Sequence, residues 1–241
     1  MSTNKLAGKN VVIIGGTAGI GLAAAVAASE AGANVWAAGR TAANLEKARA
    51  VADGRFKVVQ ADTHDTAALE ALFKEVGSID HLVSAAIGGE RTLKPFLEQT
   101  EEQFKAAYDK LWGYTKVVRT GAPYLAADAS ITLVSGSPAR KIRPAQSALS
   151  CVGASVENLA RCLAVEMAPV RVNIVSPGTI ATAMFDWMGE EKQDKLNAMT
   201  ASHLIKRPGT SEEVAEGILF VMQNGFVTGT TVDVDGGRIL S

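Results

Sequence analysis

The sequence predicts an α/β fold in which a parallel sheet is covered by helices on both faces. Short apolar runs rich in β-branched residues alternate with longer, alanine-rich stretches along the chain, and this alternation indicates strands and helices in turn. The strand-like runs are apolar at successive positions, as expected for strands buried on both faces. With right-handed crossovers the result is a doubly wound sheet, which binds ligands beyond the carboxyl ends of its strands.

Seven runs predict strands, at residues 10–14, 34–38, 56–60, 79–84, 130–135, 170–175 and 230–234. Six longer stretches predict helices, near residues 19–31, 42–52, 66–76, 99–126, 146–167 and 211–223. The last helix has a clear start, because Thr210 and Glu213 have the spacing of a capping box and Glu212 adds a second acid to the first turn.

The composition indicates one globular domain over residues 1–241. Of its 241 residues 47% are hydrophobic and 20% charged, and there is no repeat or linker-like segment. The formal net charge of −1 gives no general attraction to nucleic acid or to an anionic membrane. The N-terminal stretch lacks the apolar core of a signal peptide, and no apolar run is long enough to span a membrane. We therefore expect a cytoplasmic protein whose partners are small molecules.

The two cysteines, Cys151 and Cys162, lie eleven residues apart on one predicted helix. They are therefore roughly 16 Å apart along its axis, which is too far for a disulfide, and so few cysteines indicate a reducing compartment. We expect both to be buried, small apolar side chains rather than a redox pair. The three histidines do not have the spacing of metal ligands, so no metal site is predicted.

A glycine-rich turn follows the first predicted strand, in the stretch VVIIGGTAGIG. Glycine tolerates unusual backbone angles and lets a pyrophosphate approach the backbone closely, and the helix that follows offers unpaired N–H groups to the anion. The alternative is a tight strand–helix turn with no ligand. In this strand–turn–helix context we expect phosphate binding by Gly15, Thr17, Ala18, Gly19, Ile20 and Gly21.

Two further strand ends predict the adenosine half of a dinucleotide site. An acid after the second strand would bind the ribose of NAD, but this chain has Gly39 and then Arg40, which can pair with a 2′-phosphate. We therefore expect NADP(H), held by Arg40 and Thr41, with a solvated arginine as the alternative. After the third strand we expect Asp62 to accept a hydrogen bond from adenine beside Thr63. A turn or N-cap role for Asp62 is the alternative.

These residues, with RVNIVSPGTIATAM and VTGTTVDVDGG, resemble the short-chain dehydrogenase/reductase family from Lys9 to Arg238. The resemblance implies a Rossmann-type, three-layer fold with a seven-stranded parallel sheet in the order 3-2-1-4-5-6-7. It also implies homo-oligomers, dimers or tetramers, that pair the two longest helices. Contacts to the nicotinamide are implied for the segment with Pro177, Gly178, Ile180 and Thr182. Contacts to the cofactor are also implied for Ala85, Ala86 and Ile87, which match part of the family's Asn-Asn-Ala-Gly after the fourth strand.

The family's chemistry uses an asparagine, a serine, a tyrosine and a lysine. In the family the tyrosine donates the proton, and the lysine lowers its pKa and holds the ribose. The resemblance places the four positions on Lys110, Gly136, Leu149 and Gly153 respectively, so all four differ here. Because neither leucine nor glycine can act as a general acid, we interpret this as a change of mechanism or of role.

Four side chains are weighed for the missing functions. We hypothesise that the Lys110 ammonium occupies the space beside Gly153 and binds the ribose or polarises the substrate, with a surface lysine as the alternative. Ser135 and Ser137 flank the serine position and could each donate a hydrogen bond to substrate, although capping of the strand end is equally consistent. Tyr114 shares the face of Lys110, but packing is the favoured explanation for it.

Two segments near the expected cleft have open interpretations. The loop ARKIRP contributes Arg140, Lys141 and Arg143, which either meet an anionic substrate or partner or form a solvated charge run. The apolar stretch after Thr182 is a lid in the family, and its methionines and aromatics either favour a bulky apolar ligand or pack against the body of the fold.

Two functions follow from this sequence. The first is an NADP(H)-dependent oxidoreductase that transfers hydride to a small organic substrate without the usual tyrosine acid. The second is a non-catalytic NADP(H)-binding sensor, scaffold or subunit. The intact segment from Pro177 to Thr182 favours hydride chemistry, because a sensor has no need of a nicotinamide contact.

Overall fold

The computed structural model describes residues 5–89 and 92–241. Within them, seven parallel strands form one sheet in the order β3-β2-β1-β4-β5-β6-β7, so the predicted fold class and strand order are confirmed. The strands are β1 Asn10–Ile14, β2 Asn34–Gly39, β3 Lys57–Gln60, β4 Ile79–Ser84, β5 Leu125–Val134, β6 Arg171–Pro177 and β7 Thr231–Val234.

The described residues form seven α-helices. They are α1 Gly19–Glu30, α2 Ala42–Ala52, α3 Thr66–Val76, α4 Glu101–Gly121, α5 Ser147–Glu166, α6 Lys192–Thr200 and α7 Ser211–Gln223. Of these, α1 and α7 pack on one face of the sheet and α3, α4 and α5 on the other. The predicted capping box of α7 is confirmed, since the Thr210 hydroxyl accepts from the Glu213 N–H and the Glu213 carboxylate accepts from the Thr210 N–H. Helix α6 belongs to the segment that the sequence identified only as a lid.

The fourth predicted helix ends earlier than expected. Residues 122–126 were predicted as helix, but α4 ends at Gly121, a 3-10 turn covers Ala122–Tyr124, and β5 begins at Leu125. Pro123 lies in this turn and explains the end, because a proline cannot donate the helical hydrogen bond and its ring clashes with the preceding turn.

Two hydrophobic cores lie on opposite faces of the sheet. Along β1, Val11 and Ile13 belong to the core under α1 and α7. Val12 and Ile14 belong to the other core, under α3, α4 and α5. All four side chains are at most 1% exposed, so successive residues are buried on both faces, as the continuous apolar runs predicted.

The expectation of buried cysteines was wrong. Cys151 and Cys162 are both exposed, while the inner face of α5 carries Ala148, Val152 and Ala160. Their spacing correctly placed the two thiols on a similar face, but α5 has small apolar residues on several faces, so the pattern did not show which one is buried.

Helix α5 also departs from the expectation that no segment could cross a membrane, because by length and composition it could. In the fold its inner face packs against the sheet, and it carries the buried carboxylate of Glu157, paired with Arg140 and Arg161. This placement is that of a core helix.

Candidate cofactor and active site

The glycine-rich turn after β1 is built by close backbone approaches. A Cβ at Gly15 would lie 2.5 Å from the Ala86 nitrogen, and one at Gly21 would lie 2.1 Å from the Gly15 carbonyl oxygen. Gly15 also has a φ of +85°, which favours glycine. No side chain of the described residues caps the N-terminus of α1, so its first N–H groups are available to an anion.

The segment 177–182, which is predicted to contact the nicotinamide, lies beside this turn. A Cβ at Gly19 would come within 3.5 Å of the Thr182 methyl group, so Thr182 lies beside the start of α1. Gly178 is held against β7, because its N–H donates to Val234 and a Cβ there would lie 2.7 Å from the Asp235 Cα. The structure therefore brings together the predicted pyrophosphate and nicotinamide contacts from separate parts of the chain.

The part of the site that is predicted to hold the adenosine half of the cofactor contains a cavity of about 330 Å³. Arg40 is at its edge and donates to the Gly88 carbonyl at 3.2 Å, and Thr41 follows as the N-cap residue of α2. A Cβ at Gly39 would lie 2.0 Å from the Thr17 hydroxyl oxygen. Thr17 therefore leaves no room for an acidic side chain at position 39. The cavity is lined by Arg40, Gln60, Ala61, Asp62, Asp65 and Ala68.

Asp62 has the turn role that was the alternative to adenine binding. Its Oδ1 accepts from the His64 N–H at 2.9 Å and lies 3.5 Å from the Thr63 hydroxyl. Thr63 packs against α4, where a Cβ at Gly113 would lie 2.7 Å from its hydroxyl oxygen. The carboxylate still lines the cavity, so a contact with adenine stays a prediction for Asp62 and for Thr63.

Residues after β4 continue the same edge of the sheet. The Ala85 N–H donates to the Ile14 carbonyl at 2.8 Å, which joins this segment to the glycine-rich turn. Ile87 is 52% exposed and lies just before the position where Arg40 bonds to Gly88. All of the predicted cofactor residues therefore follow the carboxyl ends of β1, β2, β3, β4 and β6.

The space beside Gly153 is filled by a part of the chain other than the one expected. We expected the Lys110 ammonium there, but a Cβ at Gly153 would lie 3.0 Å from the Ala139 Cβ. The 3-10 turn Ser137–Ala139 therefore packs directly on α5 and accounts for this glycine. Lys110 is half-buried instead at the end of β5, where its ammonium donates to the Ser135 carbonyl at 3.3 Å and lies 5.5 Å from the centre of the Tyr114 ring.

Both candidate serines bond to protein groups. The Ser135 hydroxyl donates to the Gly153 carbonyl at 3.2 Å and lies 3.4 Å from a Glu157 carboxylate oxygen. The Ser137 hydroxyl, fully buried, accepts from the Arg238 guanidinium at 2.5 Å. These bonds favour structural roles at the strand end, and a hydrogen bond from either serine to substrate stays a prediction.

Tyr114 is part of the core, as favoured from the sequence. It is 1% exposed, its hydroxyl donates to the Val134 carbonyl at 3.1 Å, and burial raises the pKa of the phenol. A phenol in this environment does not give up its proton near neutral pH.

The charged loop before α5 is more structured than a solvated run. Arg140 pairs with the buried Glu157 at 3.2 Å and, through a second nitrogen, with Asp233 at 2.9 Å. Glu157 also pairs with Arg161. Sequence reasoning missed Glu157 and Arg238, although the place of Glu157 within the apolar repeat of α5 was a signal. Among the described residues no cluster of three or more histidine, cysteine or acidic side chains could hold a metal ion.

Comparison with known proteins identifies the family. The family model described as Enoyl-(Acyl carrier protein) reductase matches residues 15–238. The short-chain dehydrogenase/reductase ucsE of Acremonium sp is 31% identical over 262 residues, covering 100% of this chain and 98% of the relative. The chain belongs to the short-chain dehydrogenase/reductase family. Members of this family are oxidoreductases that use a nicotinamide cofactor and act on small molecules.

Two solved structures of the short-chain dehydrogenase/reductase family are similar over nearly the whole chain. The MalC Reductase/Diels-Alderase from Malbranchea aurantiaca has a TM-score of 0.89 and 31% identity, covering 99% of each chain. A small-chain dehydrogenase in complex with NADPH has a TM-score of 0.82 and 30% identity, covering 97% of this chain and 100% of that one.

Proposed function

We propose that the protein is an NADP(H)-dependent oxidoreductase that transfers hydride to a small organic substrate without a tyrosine acid. The observation that carries the proposal is the approach of Thr182 to the start of α1, where a Cβ at Gly19 would lie 3.5 Å from its methyl group. This contact joins a nicotinamide segment to a pyrophosphate turn, and a protein that only sensed adenine nucleotides has no need of it.

The choice of NADP(H) over NAD(H) rests on the end of β2. Thr17 occupies the space that an acidic side chain at position 39 requires, and Arg40 lines the adjoining cavity. A guanidinium pairs with a 2′-phosphate through charge-assisted hydrogen bonds. The NADPH bound by a structural relative supports the same choice.

The active site is proposed to lack a built-in proton donor. On the family pattern the tyrosine and lysine positions are held by Leu149 and Gly153, and the buried Tyr114 cannot replace them. When bound, NADPH supplies the hydride. A substrate that is already a cation, such as an iminium ion, accepts hydride to give a neutral amine and needs no proton. A conjugated alkene is the second class, with its proton taken from water.

Lys110 is the proposed electrostatic element of this site. Its ammonium lies at the carboxyl end of β5, 3.3 Å from the Ser135 carbonyl. On the family pattern Lys110 itself holds the position of the asparagine, on α4. A positive charge here can bind the nicotinamide ribose or polarise an electron-rich end of the substrate. It is not proposed as the acid in place of a tyrosine, because an iminium ion needs no proton and a conjugated alkene takes its proton from water.

One observation favours the non-catalytic alternative. The hydroxyls of Ser135 and Ser137 are both bonded to protein groups, and Ala139 closes the space beside Gly153. A sensor, scaffold or subunit that binds NADP(H) without turnover would tolerate such a filled site.

The two functions are separated by binding and turnover measurements. NADPH and NADH affinities are measured by fluorescence, followed by NADPH oxidation with panels of ketones, iminium salts and activated alkenes. We expect tight NADPH binding and oxidation with the iminium or alkene panel. We expect weaker NADPH binding or slower NADPH oxidation in Lys110→Met. In the matched surface variant Lys105→Met we expect both to equal those of the wild type. Tight NADPH binding without oxidation by any panel would identify the sensor, and no binding would contradict both functions.

A further inference from the structure

Arg238 is a buried arginine without an acidic partner. It lies in the 3-10 turn Arg238–Leu240 after β7 and is 6% exposed. Its Nη1 donates to the Ser137 hydroxyl, but no carboxylate of the described residues forms an ion pair with it. Its Nε is also buried and has no hydrogen-bond partner in the described part of the chain. A buried guanidinium is costly unless its charge is compensated.

The nearest acid does not supply that compensation. Asp235 lies close enough to favour the charged form of Arg238, yet both of its oxygens accept backbone N–H groups, from Gly237 at 2.8 Å and Ile239 at 2.9 Å. Asp235 thus shapes the turn after β7. Its carboxylate is directed at the backbone rather than at the guanidinium.

A second arginine increases the excess of positive charge. Arg143, in the loop before α5, is half-buried and extends to the Ser202 hydroxyl at 3.5 Å. Burial and the charge of Arg143 both lower the pKa of Arg238. Arg143 thus contacts the residue next to His203, and its charge adds to that of Arg238 while the Asp235 carboxylate is engaged by backbone N–H groups.

A buried histidine completes the cluster. His203 follows α6, is 2% exposed, and its Nε2 has no hydrogen-bond partner among the described residues. A Cβ at Gly236 would lie 3.9 Å from its Nδ1, so the ring lies against the turn after β7. Burial lowers its pKa, and the charges of Arg238 and Arg143 lower it further. The imidazole is then neutral near pH 7 and able to donate one hydrogen bond.

The cluster formed by Arg238, Arg143 and His203 adjoins the proposed reaction centre. Ser137, which Arg238 contacts, follows Gly136, where a Cβ would lie 3.9 Å from the Pro177 carbonyl oxygen. Gly178 in turn contacts Asp235. A group bound by these side chains would therefore lie close to Pro177 and Gly178, in the segment predicted to contact the nicotinamide.

We propose that Arg238, Arg143 and His203 form a subsite for a carboxylate carried by the substrate. The carboxylate supplies the missing negative charge and accepts from the unpartnered Nε of Arg238 and Nε2 of His203. Arg143 closes the subsite from the loop before α5. The inference rests on the proposed function, and it narrows the substrate to an acceptor that also carries a carboxylate.

The binding test uses malonate as the probe, with saturating NADPH to occupy the phosphate sites. The unfolding temperature is followed against sodium malonate, with sodium chloride at equal ionic strength. We expect a saturable rise in the wild type that chloride does not reproduce, the same rise in the surface variant Arg119→Met, and no rise in Arg238→Met. Arg143→Met provides a second variant if Arg238→Met does not fold, and we expect a weaker response from it. An equal response to chloride, or an unchanged malonate response in the variants, would overturn the subsite.

The turnover test compares a cyclic iminium carboxylate with its methyl ester. We expect kcat/KM to favour the carboxylate at least tenfold in the wild type and in the surface variant Arg119→Met, and the preference to disappear in Arg238→Met. Equal efficiency for the two acceptors in the wild type would contradict the subsite while leaving hydride transfer intact. Failure to bind NADPH would instead contradict the proposed function.

Discussion

At the level of single residues, the end of β2 carries the proposed preference for NADP(H) over NAD(H). Thr17 packs where a side chain at Gly39 would extend, and Arg40 occupies the edge of the adenosine cavity. In the structure the Arg40 guanidinium donates to the Gly88 carbonyl, an interaction that a 2′-phosphate can replace with stronger, charge-assisted bonds.

We expect Arg40→Ala to raise the Kd for NADPH and leave that for NADH unchanged. Hydrogen bonds to a charged group contribute about 1.5–3 kcal/mol, so the loss corresponds to roughly 10- to 100-fold. Fluorescence titration measures both constants. The control is Arg49→Ala, an exposed arginine on α2. A parallel loss of NADH affinity would show that Arg40 does not discriminate through the 2′-phosphate.

The residues proposed for the cofactor site could be named from the sequence because each belongs to a local pattern with its own chemistry. Gly15, Gly19 and Arg40 follow strands in positions that only a few ligands explain. The packing of Ala139 on Gly153 and the buried charge of Arg238 join segments far apart in the chain, so their meaning depends on the fold. For that reason the explanation proposed for Gly153 was wrong and Arg238 was missed.

At the scale of elements, the turn Ser137–Ala139 and helix α5 form one unit. Ala139 packs on Gly153, and Arg140 holds the same turn to Glu157 on α5 and to Asp233 on β7. This arrangement closes the space beside Gly153 and holds the turn that follows β5.

We expect the effect of Gly153→Ala on stability to depend on Ala139. Alanine is favoured over glycine in a helix by about 1 kcal/mol, but its Cβ would lie 3.0 Å from that of Ala139. The substitution should therefore stabilise the protein by about 1 kcal/mol more in an Ala139→Gly background than in the wild type. Urea unfolding of the four variants measures this coupling. Effects that add within about 0.5 kcal/mol would exclude the contact.

Element order was predictable because hydrophobic periodicity and β-branched runs act locally. The end of α4 was missed although Pro123 marked it, since the apolar pattern continues from helix into β5. The orientation of α5 could not be predicted, because small apolar residues on several faces leave its rotation to tertiary packing.

At the scale of the whole molecule, one buried histidine makes stability depend on pH. His81 lies in β4 with its Nδ1 2.7 Å from the Ser130 hydroxyl. Burial lowers its pKa from 6.5 to about 4. The unfolded chain therefore binds a proton at His81 more readily than the folded protein does. The stability contributed by the neutral His81 is present above pH 6.5 and is lost as the pH falls from 6.5 towards 4.

We expect His81 to account for about 2 kcal/mol of the unfolding free energy lost between pH 7 and pH 5. His81→Gln keeps a polar side chain beside Ser130 and removes the titration, so its stability should change less over this range by about that amount. Urea unfolding at the two pH values measures the difference. The same loss in both proteins would place the titrating group elsewhere.

We also expect the protein to form a homo-oligomer through α4 and α5. A shallow cavity of about 540 Å³ between these helices is lined by residues that include Leu111, Ala154 and Leu159, and Trp112 beside it is 62% exposed. Ala154→Arg should give monomers in light scattering, while Ala43→Arg on the exposed face of α2 should leave the assembly unchanged. A wild type that is monomeric at all concentrations would contradict this assignment.

Hydride transfer in a site without its own proton donor predicts a difference between two substrates of similar shape. NADPH oxidation is measured at pH 7 with a cyclic iminium salt and with the ketone of the same ring size. Loss of a general acid slows ketone reduction by about 10²–10⁴-fold, so we expect kcat/KM for the iminium ion to exceed that for the ketone by at least about 100-fold. Ketone reduction at comparable efficiency would contradict a site without a proton donor, because it would require an acid that Leu149 and Gly153 do not provide.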